Sequence, residues 1–434
     1  MKRQFLMDCG LAAIAALALA TVSAAAEPDP RIASALHEIS SARIQADIAA
    51  LVDFGTRSTL SAQDPASIAA GRGIGAAREW IKAQFEQYSR DCGGCLEVRV
   101  DSYTQPPGER VATPTVISNV YAVLRGTDTG ATPRIVLVTG HYDSRNSDNY
   151  DTTHDAPGAN DDASGVAVSL ECARVLSRLK FPGTIIFLAV AGEEQGLYGS
   201  AHFARRAREQ QWNIEAVLND DIVGGNRSAE QDTRVVRVFS ADDSDSPSRQ
   251  VARYVAETAD QYPSAVKPLL VFRADRFLRG GDHTSFNEKG YAAVRFTEYR
   301  EDYNRQHQTV RTEGGIEYGD LLKHVDVEYV AAVARLNAAT LAALAAAPAA
   351  PSHVAILTAK LENDTTLEWV PAANASGYEV LWRDTTSPTW EHVQDVGTRT
   401  RVTVPLSKDN VIFAVRAVDA QGHRSLPVVP QPQG

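Results

Sequence analysis

In four places along the chain, an apolar run typical of a buried strand ends in ionisable side chains. The runs are RIVLVT (134–139), TIIFLAVA (184–191), EAVLN (215–219) and AAVRFTE (292–298). The ionisable residues after them are, in chain order, His141 with Asp143, Asp161 with Asp162 in the next loop, Glu193 with Glu194, Asp220 with Asp221, and His307. Because ligands bind at the carboxyl edge of open α/β sheets, we expect these side chains to converge.

Each of these features alone has an ordinary explanation. A histidine after a strand is usually exposed or hydrogen-bonded, and the pair Asp161-Asp162 before a helical pattern could simply cap that helix. Two imidazoles and three carboxylates at one edge of one sheet are harder to explain in that way. This nitrogen and oxygen donor set suits zinc. Five ligands with one of them shared suit a pair of metal ions, so the sequence predicts two Zn²⁺ ions per chain.

The elements that must position these residues alternate between strand-like and helical patterns from about residue 30 to residue 346. Helices are predicted at Gly73–Tyr88, Asp162–Leu179 and Asp326–Leu344, between the four buried runs. This alternation predicts an α/β fold with a mixed, mostly parallel sheet flanked by helices. We assign it to a catalytic domain over residues 26–346.

The texture of the sequence changes after the segment AAAPAAP (345–351), which predicts a linker at residues 347–352. Short alternating runs then recur with turn residues between them, as is typical of a small all-β, immunoglobulin-like sandwich. Trp369, Tyr378, Trp382 and the run 417–425 resemble a fibronectin type III module at residues 353–430. All candidate ligands precede this module, so a chain ending near Ala346 is predicted to keep them.

The N-terminus has the composition of a secretory signal. Lys2 and Arg3 precede the apolar run 11–22, and small residues follow it. We expect a signal peptide at residues 1–25, cleavage between Ala24 and Glu27, and a periplasmic or secreted protein. No later stretch is expected to span a membrane, so we expect no stable membrane insertion after cleavage. The net charge of −11 makes nucleic acid an unfavourable partner.

Three cysteines follow the signal. Cys92-Gly93-Gly94-Cys95 could serve redox chemistry, half of a zinc site or a short disulfide. No second CxxC completes a metal site, and an oxidising compartment favours the disulfide. Cys172 lies in an apolar helical pattern and is predicted to be a buried small hydrophobic residue.

The motifs GHYDS (140–144), PGANDDASG (157–165), AGEEQGLYGS (191–200) and NDDIVGG (219–225) stand in a known order. Over residues 54–344 the chain resembles the co-catalytic dizinc aminopeptidases, the clan of bacterial leucyl aminopeptidase and glutamate carboxypeptidase II. The resemblance implies a zinc exopeptidase fold and an aminopeptidase that hydrolyses N-terminal residues from peptides, and the N-terminal signal adds the expectation that it is exported.

The resemblance also implies roles for individual residues. One zinc would be bound by His141 and Asp221, the other by Glu194 and His307, and Asp161 would bridge the two. Glu193 would be the general base, because zinc lowers the pKa of a bound water to about 7 and a free carboxylate beside it can take the proton. Asp143 would orient the His141 ring, since residues two apart on a strand point the same way. A cis peptide is implied between Asp161 and Asp162.

One motif departs from the family pattern. Gln306-His307-Gln308 stands where the family often has Tyr-His-Thr, so the assignment of His307 rests on its order along the chain. Tyr299 or Tyr303 is expected to replace the tyrosine that would polarise the scissile carbonyl. His283, in the segment Gly281-Asp282-His283, is interpreted as supporting structure and not as a ligand.

Three other functions remain open. A dimetal carboxypeptidase or deacylase would have a lid domain after the glutamates, but the segment from Glu194 to Asp221 is too short for one. A glutaminyl-cyclase-like acyltransferase works with one zinc, whereas His141 and Asp221 together favour two. A binding ectodomain on an inactive peptidase scaffold would have lost ligands, and all five are present here.

Overall fold

The computed structural model describes residues 27–128, 130, 132–225, 230–241 and 245–434, so the predicted signal peptide lies outside the described residues. The first eight strands are β1 (Leu96–Gln105), β2 (Thr115–Leu124), β3 (Arg134–His141), β4 (Thr184–Val190), β5 (Asn213–Asp220), β6 (Val235–Ser240), β7 (Lys267–Val271) and β8 (Ala293–Glu298). The α-helices are α1 (Pro30–His37), α2 (Ser41–Asp53), α3 (Pro65–Ala69), α4 (Ile74–Asp91), α5 (Ala163–Leu176), α6 (Tyr198–Glu209), α7 (Pro247–Gln261), α8 (Asp282–Asn287) and α9 (Val327–Ala346).

The eight strands form one mixed sheet in the order β1-β2-β4-β3-β5-β8-β6-β7. The four central strands β4, β3, β5 and β8 are parallel, so their carboxyl ends lie side by side along one edge. On one flank, β2 pairs antiparallel with β4, and β1 pairs antiparallel with β2. On the other flank, β6 pairs antiparallel with β8, and β7 runs parallel to β6. This confirms the predicted α/β fold with helices against a mixed sheet.

The predicted central elements agree with the structure to within a few residues. β3, β4 and β5 are almost entirely buried, which explains why they are continuous apolar runs and do not alternate. The helix α9 ends two residues later than predicted and takes in Ala345 and Ala346, the first residues of the AAAPAAP segment, which pack in the core.

α9 also corrects the expectation that no later stretch could span a membrane. By length and composition alone it is long and apolar enough to do so, and it is the only such helix among the described residues. However, 94% of its apolar window is buried inside the protein. α9 is therefore apolar all round because it is a core helix, packed against α5, α2 and α7.

The start of α5 lies very close to the ends of two central strands. A Cβ atom at Gly165 would lie 2.2 Å from the carbonyl oxygen of Asp220, and one at Gly140 would lie 2.5 Å from the backbone of Gly165. Only glycine allows this approach. Because of it, the Asp161-Asp162 loop that precedes α5 sits directly over the carboxyl ends of β3 and β5.

Between β8 and α9 lie a hairpin of β9 (Arg311–Glu313) and β10 (Ile316–Tyr318) and the 3-10 turn Leu322–His324. After α9 the chain forms small sheets only. The later strands are β11 (Ser352–Leu357), β12 (Thr365–Val370), β13 (Gly377–Asp384), β14 (His392–Gly397), β15 (Arg401–Val404), β16 (Val411–Val418) and β17 (Gln431–Gln433). They make a four-stranded sheet, β15-β12-β11-β17, and a three-stranded sheet, β14-β13-β16, with a shared core around Trp369 and Tyr378.

This C-terminal module is docked on helix α7 through a buried arginine. Arg416, on β16, donates from Nη1 to both carboxylate oxygens of Glu257 at 2.7 Å and from Nε to Glu379 at 2.6 Å. The Arg416 side chain is 1% exposed. Its partner Glu257 belongs to α7. Leu426 packs against the main hydrophobic core. The two parts of the chain therefore share an interface, beyond the linker that the sequence predicts.

We expect Arg416→Ala to destabilise the protein by about 2 kcal/mol, because it leaves the buried carboxylate of Glu379 with Arg424 alone and removes the partner of the half-exposed Glu257. The matched control is Arg401→Ala, which breaks an exposed ion pair with Glu368 inside the same module and should cost at most about 1 kcal/mol. Urea unfolding of both variants measures the difference. Equal effects would contradict a stabilising role of the α7 contact.

The predicted Cys92–Cys95 disulfide is present, in the turn between α4 and β1. Cys172 is a free thiol and is fully buried in α5, as expected.

Candidate metal centre

The candidate ligands lie at the carboxyl edge of the four parallel strands, as the sequence predicts. His141 is the last residue of β3, Asp221 follows the last residue of β5, and Glu194 lies four residues after the end of β4. His307 lies in the loop between β8 and β9, and Asp161 in the loop between β3 and α5. The peptide between Asp161 and Asp162 is cis, as the family resemblance implies.

Asp161 lies between the two histidines. Its Oδ1 atom is 3.1 Å from His141 Nε2, and its Oδ2 atom is 2.9 Å from His307 Nε2. On the first side, Asp221 Oδ1 is 3.9 Å from His141 Nε2. On the second side, Glu194 Oε1 is 3.2 Å from His307 Nε2. The five side chains thus form two groups of three that share one carboxylate.

Glu193 reaches the first of these groups. Its carboxylate, a ring nitrogen of His141 and a carboxylate oxygen of Asp221 all lie within 4.8 Å of one another. A second set of donors within the same distance is His141, Asp161 and Glu194. Glu193 therefore lies close enough to the centre either to bind a cation or to exchange a proton with a molecule bound there.

Asp143 supports the centre in a different way from the one expected. The backbone carbonyl of Asp143 is the nearer acceptor for His141 Nδ1, at 3.0 Å, while its carboxylate Oδ1 lies at 3.5 Å. The carboxylate instead accepts hydrogen bonds from the backbone N–H groups of Glu193 and Glu194, at 3.3 and 3.1 Å. Asp143 thus holds the two glutamates as well as the histidine ring.

Three buried residues that the sequence did not single out as site residues hold the ligand-bearing loops. The carboxylate of Asp162 accepts from the backbone N–H groups of His141, Gly165 and Ile222. Asp320 accepts from the backbone N–H groups of Asn160 and Asp161. Asp162 could have been suspected from its place in the motif, but Asp320 is 159 residues from Asp161 and carries no local signal.

The third of these residues, Arg57, is completely buried, and its guanidinium donates to backbone carbonyls. Its guanidinium contacts the carbonyl oxygens of Leu51, Tyr142, Pro157 and Gly158. These contacts tie the end of α2 to both ends of the loop between His141 and Asp161. Nothing around Arg57 in the sequence predicts this function, because its partners are backbone atoms.

Two arginines each bind one oxygen of a terminal carboxylate in the centre. Arg145 Nε donates to Glu194 Oε2 at 2.9 Å, and Arg295 Nη2 lies 3.0 Å from Asp221 Oδ1. The other oxygen of Glu194, Oε1, is buried and accepts no hydrogen bond among the described residues. A buried carboxylate oxygen without such a partner is costly, and a cation would satisfy it.

The surplus of carboxylates changes the proton affinity of both imidazoles. Burial alone would lower the pKa of His307, but Glu194 and Asp161 raise it to about 10. Burial also works against a charged His141, yet Glu193 and other nearby carboxylates raise its pKa well above its usual value. Burial is the main reason that the pKa of Glu193 is raised. The centre therefore stabilises positive charge between its carboxylates, as a cation site must.

The donor set and this charge fit divalent zinc, which favours imidazole nitrogen together with carboxylate oxygen. Two residues of the centre have left-handed backbone conformations that are unusual for side-chain-bearing residues, His307 with φ 56° and Ile222, next to Asp221, with φ 62°. Such conformations cluster at functional sites, where the surrounding contacts enforce them.

His283 lies outside this centre. It is fully buried, and its Nε2 lies 2.8 Å from the carbonyl oxygen of Ala274. Tyr299 and Tyr303, expected near the scissile carbonyl, are both exposed, and the guanidinium of Arg279 lies 5.7 Å from the Tyr303 ring centroid.

Comparison with known proteins identifies the family of the chain. Residues 119–328, which include all seven predicted site residues, match Peptidase family M28. A probable zinc metalloprotease of Leptosphaeria maculans is 44% identical over 427 residues, which cover 93% of this chain and 98% of the relative. One from Pyricularia oryzae is 45% identical over 435 residues, covering 93% of this chain and 85% of the relative.

Solved structures share the fold. The LapA aminopeptidase of Legionella pneumophila is 24% identical with a TM-score of 0.55, and the match covers 73% of this chain and 74% of LapA. An aminopeptidase from Aneurinibacillus sp. strain AM-1 is 17% identical with a TM-score of 0.52, and the match covers 72% of this chain and 95% of that aminopeptidase. The two zinc metalloproteases are similar to this chain over most of their length, and the metal-binding residue types meet at one sheet edge. The chain therefore belongs to peptidase family M28 and is a metallopeptidase.

Proposed function

We propose that this protein is an exported aminopeptidase that binds two zinc ions and removes N-terminal residues from peptides. One observation carries the proposal: the two carboxylate oxygens of Asp161 face two different imidazoles, at 3.1 Å from His141 and 2.9 Å from His307. A carboxylate in this position can bridge two cations. A one-metal enzyme with the same fold, such as a glutaminyl-cyclase-like acyltransferase, would not need it.

In the proposed site, His141 and Asp221 hold one zinc, Glu194 and His307 hold the other, and Asp161 binds both. When bound, the zinc ions supply a water of lowered pKa and polarise the scissile carbonyl. His141 can present Nε2 because its Nδ1–H has an acceptor in the carbonyl of Asp143. Arg145 engages Oε2 of Glu194 and leaves Oε1 facing His307, whereas Arg295 lies against Oδ1 of Asp221, the same oxygen that faces His141.

Glu193 is the proposed proton acceptor. Its backbone N–H is fixed by Asp143, and burial raises the pKa of its carboxyl group, which brings it closer to the pH at which it must accept and release a proton. Glu193 would take a proton from the attacking water and return it to the leaving amine. Glu194 cannot share this task, because it is engaged by Arg145 and would bind metal.

The aminopeptidase part of the proposal is supported by the fold, which is shared with bacterial enzymes named as aminopeptidases.

Export and domain organisation are part of the same proposal. We propose a signal peptide at residues 1–25, a periplasmic or secreted location, and no membrane insertion of the mature chain. The Cys92–Cys95 disulfide supports an oxidising compartment. We further propose a catalytic domain at residues 26–346, a linker at 347–352 and a fibronectin type III-like module at 353–430, which the two C-terminal sheets support.

The test combines metal analysis with a substrate panel. We expect the purified protein to contain two zinc ions per chain and to hydrolyse aminoacyl amides, but not the same compounds with a blocked N-terminus. Dialysis against a chelator should abolish hydrolysis, and added zinc should restore it. A single zinc ion with cyclisation of N-terminal glutamine would contradict the proposal, and so would cleavage of blocked substrates.

A further inference from the structure

Gln306, directly before His307, has both ends of its amide hydrogen-bonded. Its Nε2 donates to Glu301 Oε2 at 3.1 Å, and its Oε1 accepts from Arg279 Nη2 at 3.0 Å. Gln306 is only 5% exposed. Gln308, on the other side of His307, differs in this respect. Among the described residues, its side chain has one hydrogen bond, which it accepts from Arg311 at the surface.

Glu301, the partner of Gln306, is the centre of a charged network. Its Oε2 also accepts from Arg276 Nη1 at 2.7 Å and from Arg279 Nη1 at 2.6 Å, while its Oε1 accepts from Arg237 Nη2 at 3.1 Å. The Glu301 side chain is 2% exposed. Arg279, Glu301 and Gln306 therefore form a closed triangle in which every pair is hydrogen-bonded.

This triangle connects the His307 loop to the parts of the fold that carry the first group of ligands. Arg237 belongs to β6 and also donates from Nε to the carbonyl of Glu298, the last residue of β8. Arg276 and Arg295 both donate to the carbonyl of Gly280. A Cβ atom at the next residue, Gly281, would lie 3.2 Å from Asp221 Oδ2, so the arginine-bearing loop touches the first group directly.

His307 needs such support more than the other histidine does. His141 is the last residue of a central strand and is held by the hydrogen bonds of the sheet. His307 lies nine residues beyond β8, in an irregular loop and with a left-handed backbone. Arg145 Nη2 lies 2.6 Å from His307 Nδ1 and holds the ring directly, while the bonds of Gln306 fix the backbone that carries the ring.

We propose that Gln306 is a positioning residue for the metal ligand His307, and that Arg279 and Glu301 hold Gln306 in place. The inference rests on the proposed function, because it takes His307 to be a zinc ligand. It gives a reason for the departure noted in the sequence: the residue before the histidine is an amide here because it must both donate to Glu301 and accept from Arg279. The amide carries its donor and its acceptor on separate atoms, so Gln306 makes both bonds at once.

The experiment compares Gln306→Ala with Gln308→Ala by competition of each purified protein with a chromophoric zinc chelator. Loss of a residue that orients a ligand typically weakens metal binding by about 10- to 100-fold. We expect Gln306→Ala to weaken binding of one zinc equivalent by about tenfold or more and to leave the other unchanged. Gln308→Ala should leave both unchanged. Equal affinities in the two variants would overturn the inference.

A charge exchange separates positioning from general loss of stability. Gln306→Glu alone places a second carboxylate against Glu301 and should weaken zinc binding. The double variant Glu301→Gln with Gln306→Glu restores the total charge but turns an amide N–H toward Arg276 and Arg279, so it should recover part of the lost affinity. No recovery, in a metal-free protein that melts at the wild-type temperature, would overturn the inference.

His307→Ala distinguishes failure of this inference from failure of the proposed function. If His307→Ala still binds two zinc ions, His307 is not a ligand and the proposed metal site is wrong. If His307→Ala loses one zinc ion while Gln306→Ala binds both with wild-type affinity, only the positioning role of Gln306 is wrong.

Discussion

The Glu193→Gln protein should bind its full complement of zinc and hydrolyse aminoacyl amides with a kcat at least about 100-fold below that of the wild type. The amide of glutamine keeps the shape of the side chain but cannot accept the proton of the attacking water. The backbone of residue 193 is held by Asp143 through its N–H group, so the loop should keep its geometry. Elemental analysis and steady-state kinetics of the same preparation measure both quantities.

This variant matters because geometry alone allows Glu193 to be a ligand. Its carboxylate lies as close to His141 and Asp221 as a ligand would need. Glu194→Gln is the matched variant, and it should lose zinc, because Oε1 of Glu194 lies 3.2 Å from His307. If Glu193→Gln loses zinc and Glu194→Gln retains it, the two glutamates have exchanged roles.

Asp161→Ala should have the largest effect on metal content of any single substitution in the centre. It removes the one carboxylate that faces both imidazoles, so binding of both zinc ions should weaken and activity should be lost. The backbone N–H of residue 161 still donates to Asp320 after the substitution, so the loop remains anchored. Zinc content after dialysis against a buffered zinc solution gives the result.

Asp155→Ala is the control for Asp161→Ala. Asp155 lies in the same loop, is exposed and pairs with Arg72 at the surface. Its removal should change neither zinc content nor kcat/KM. If Asp161→Ala loses one zinc ion and firmly retains the other, Asp161 belongs to one ion and does not bridge two.

The central strands, and the order of the candidate metal ligands after them, could be predicted from local sequence. β4 was predicted to within one residue and β3 and β5 to within two, because fully buried parallel strands are continuous apolar runs and the functional residues follow after them. Sequence also predicted the disulfide, because no second CxxC completes a metal site and an oxidising compartment favours a disulfide.

The support of the centre could not be predicted in the same way. Arg57 and Asp320 act through backbone atoms of segments about 85 to 160 residues away, and no spacing or residue pattern marks such partners. The role of Asp143 was only partly predicted: the two-residue period of a strand brought it to His141, but its contact with the N–H groups of Glu193 and Glu194 depends on how the loop after β4 folds back.

The C-terminal part shows the same division. Alternating short runs predicted its strands, because each strand buries one face within the module. The buried bond from Arg416 to Glu257 of α7 was not predicted, since the two residues are 159 positions apart and a charged pair has no sequence signature.

The sequence by itself determined which residue types could bind metal, their order along the chain and the strands after which they lie, because these properties are local. Only the tertiary structure decided that Asp161 stands between His141 and His307, and that Glu301 and Arg279 hold the residue beside His307. Those distances depend on how separate loops pack over the ends of neighbouring strands, and that packing is set by contacts between residues far apart in the chain.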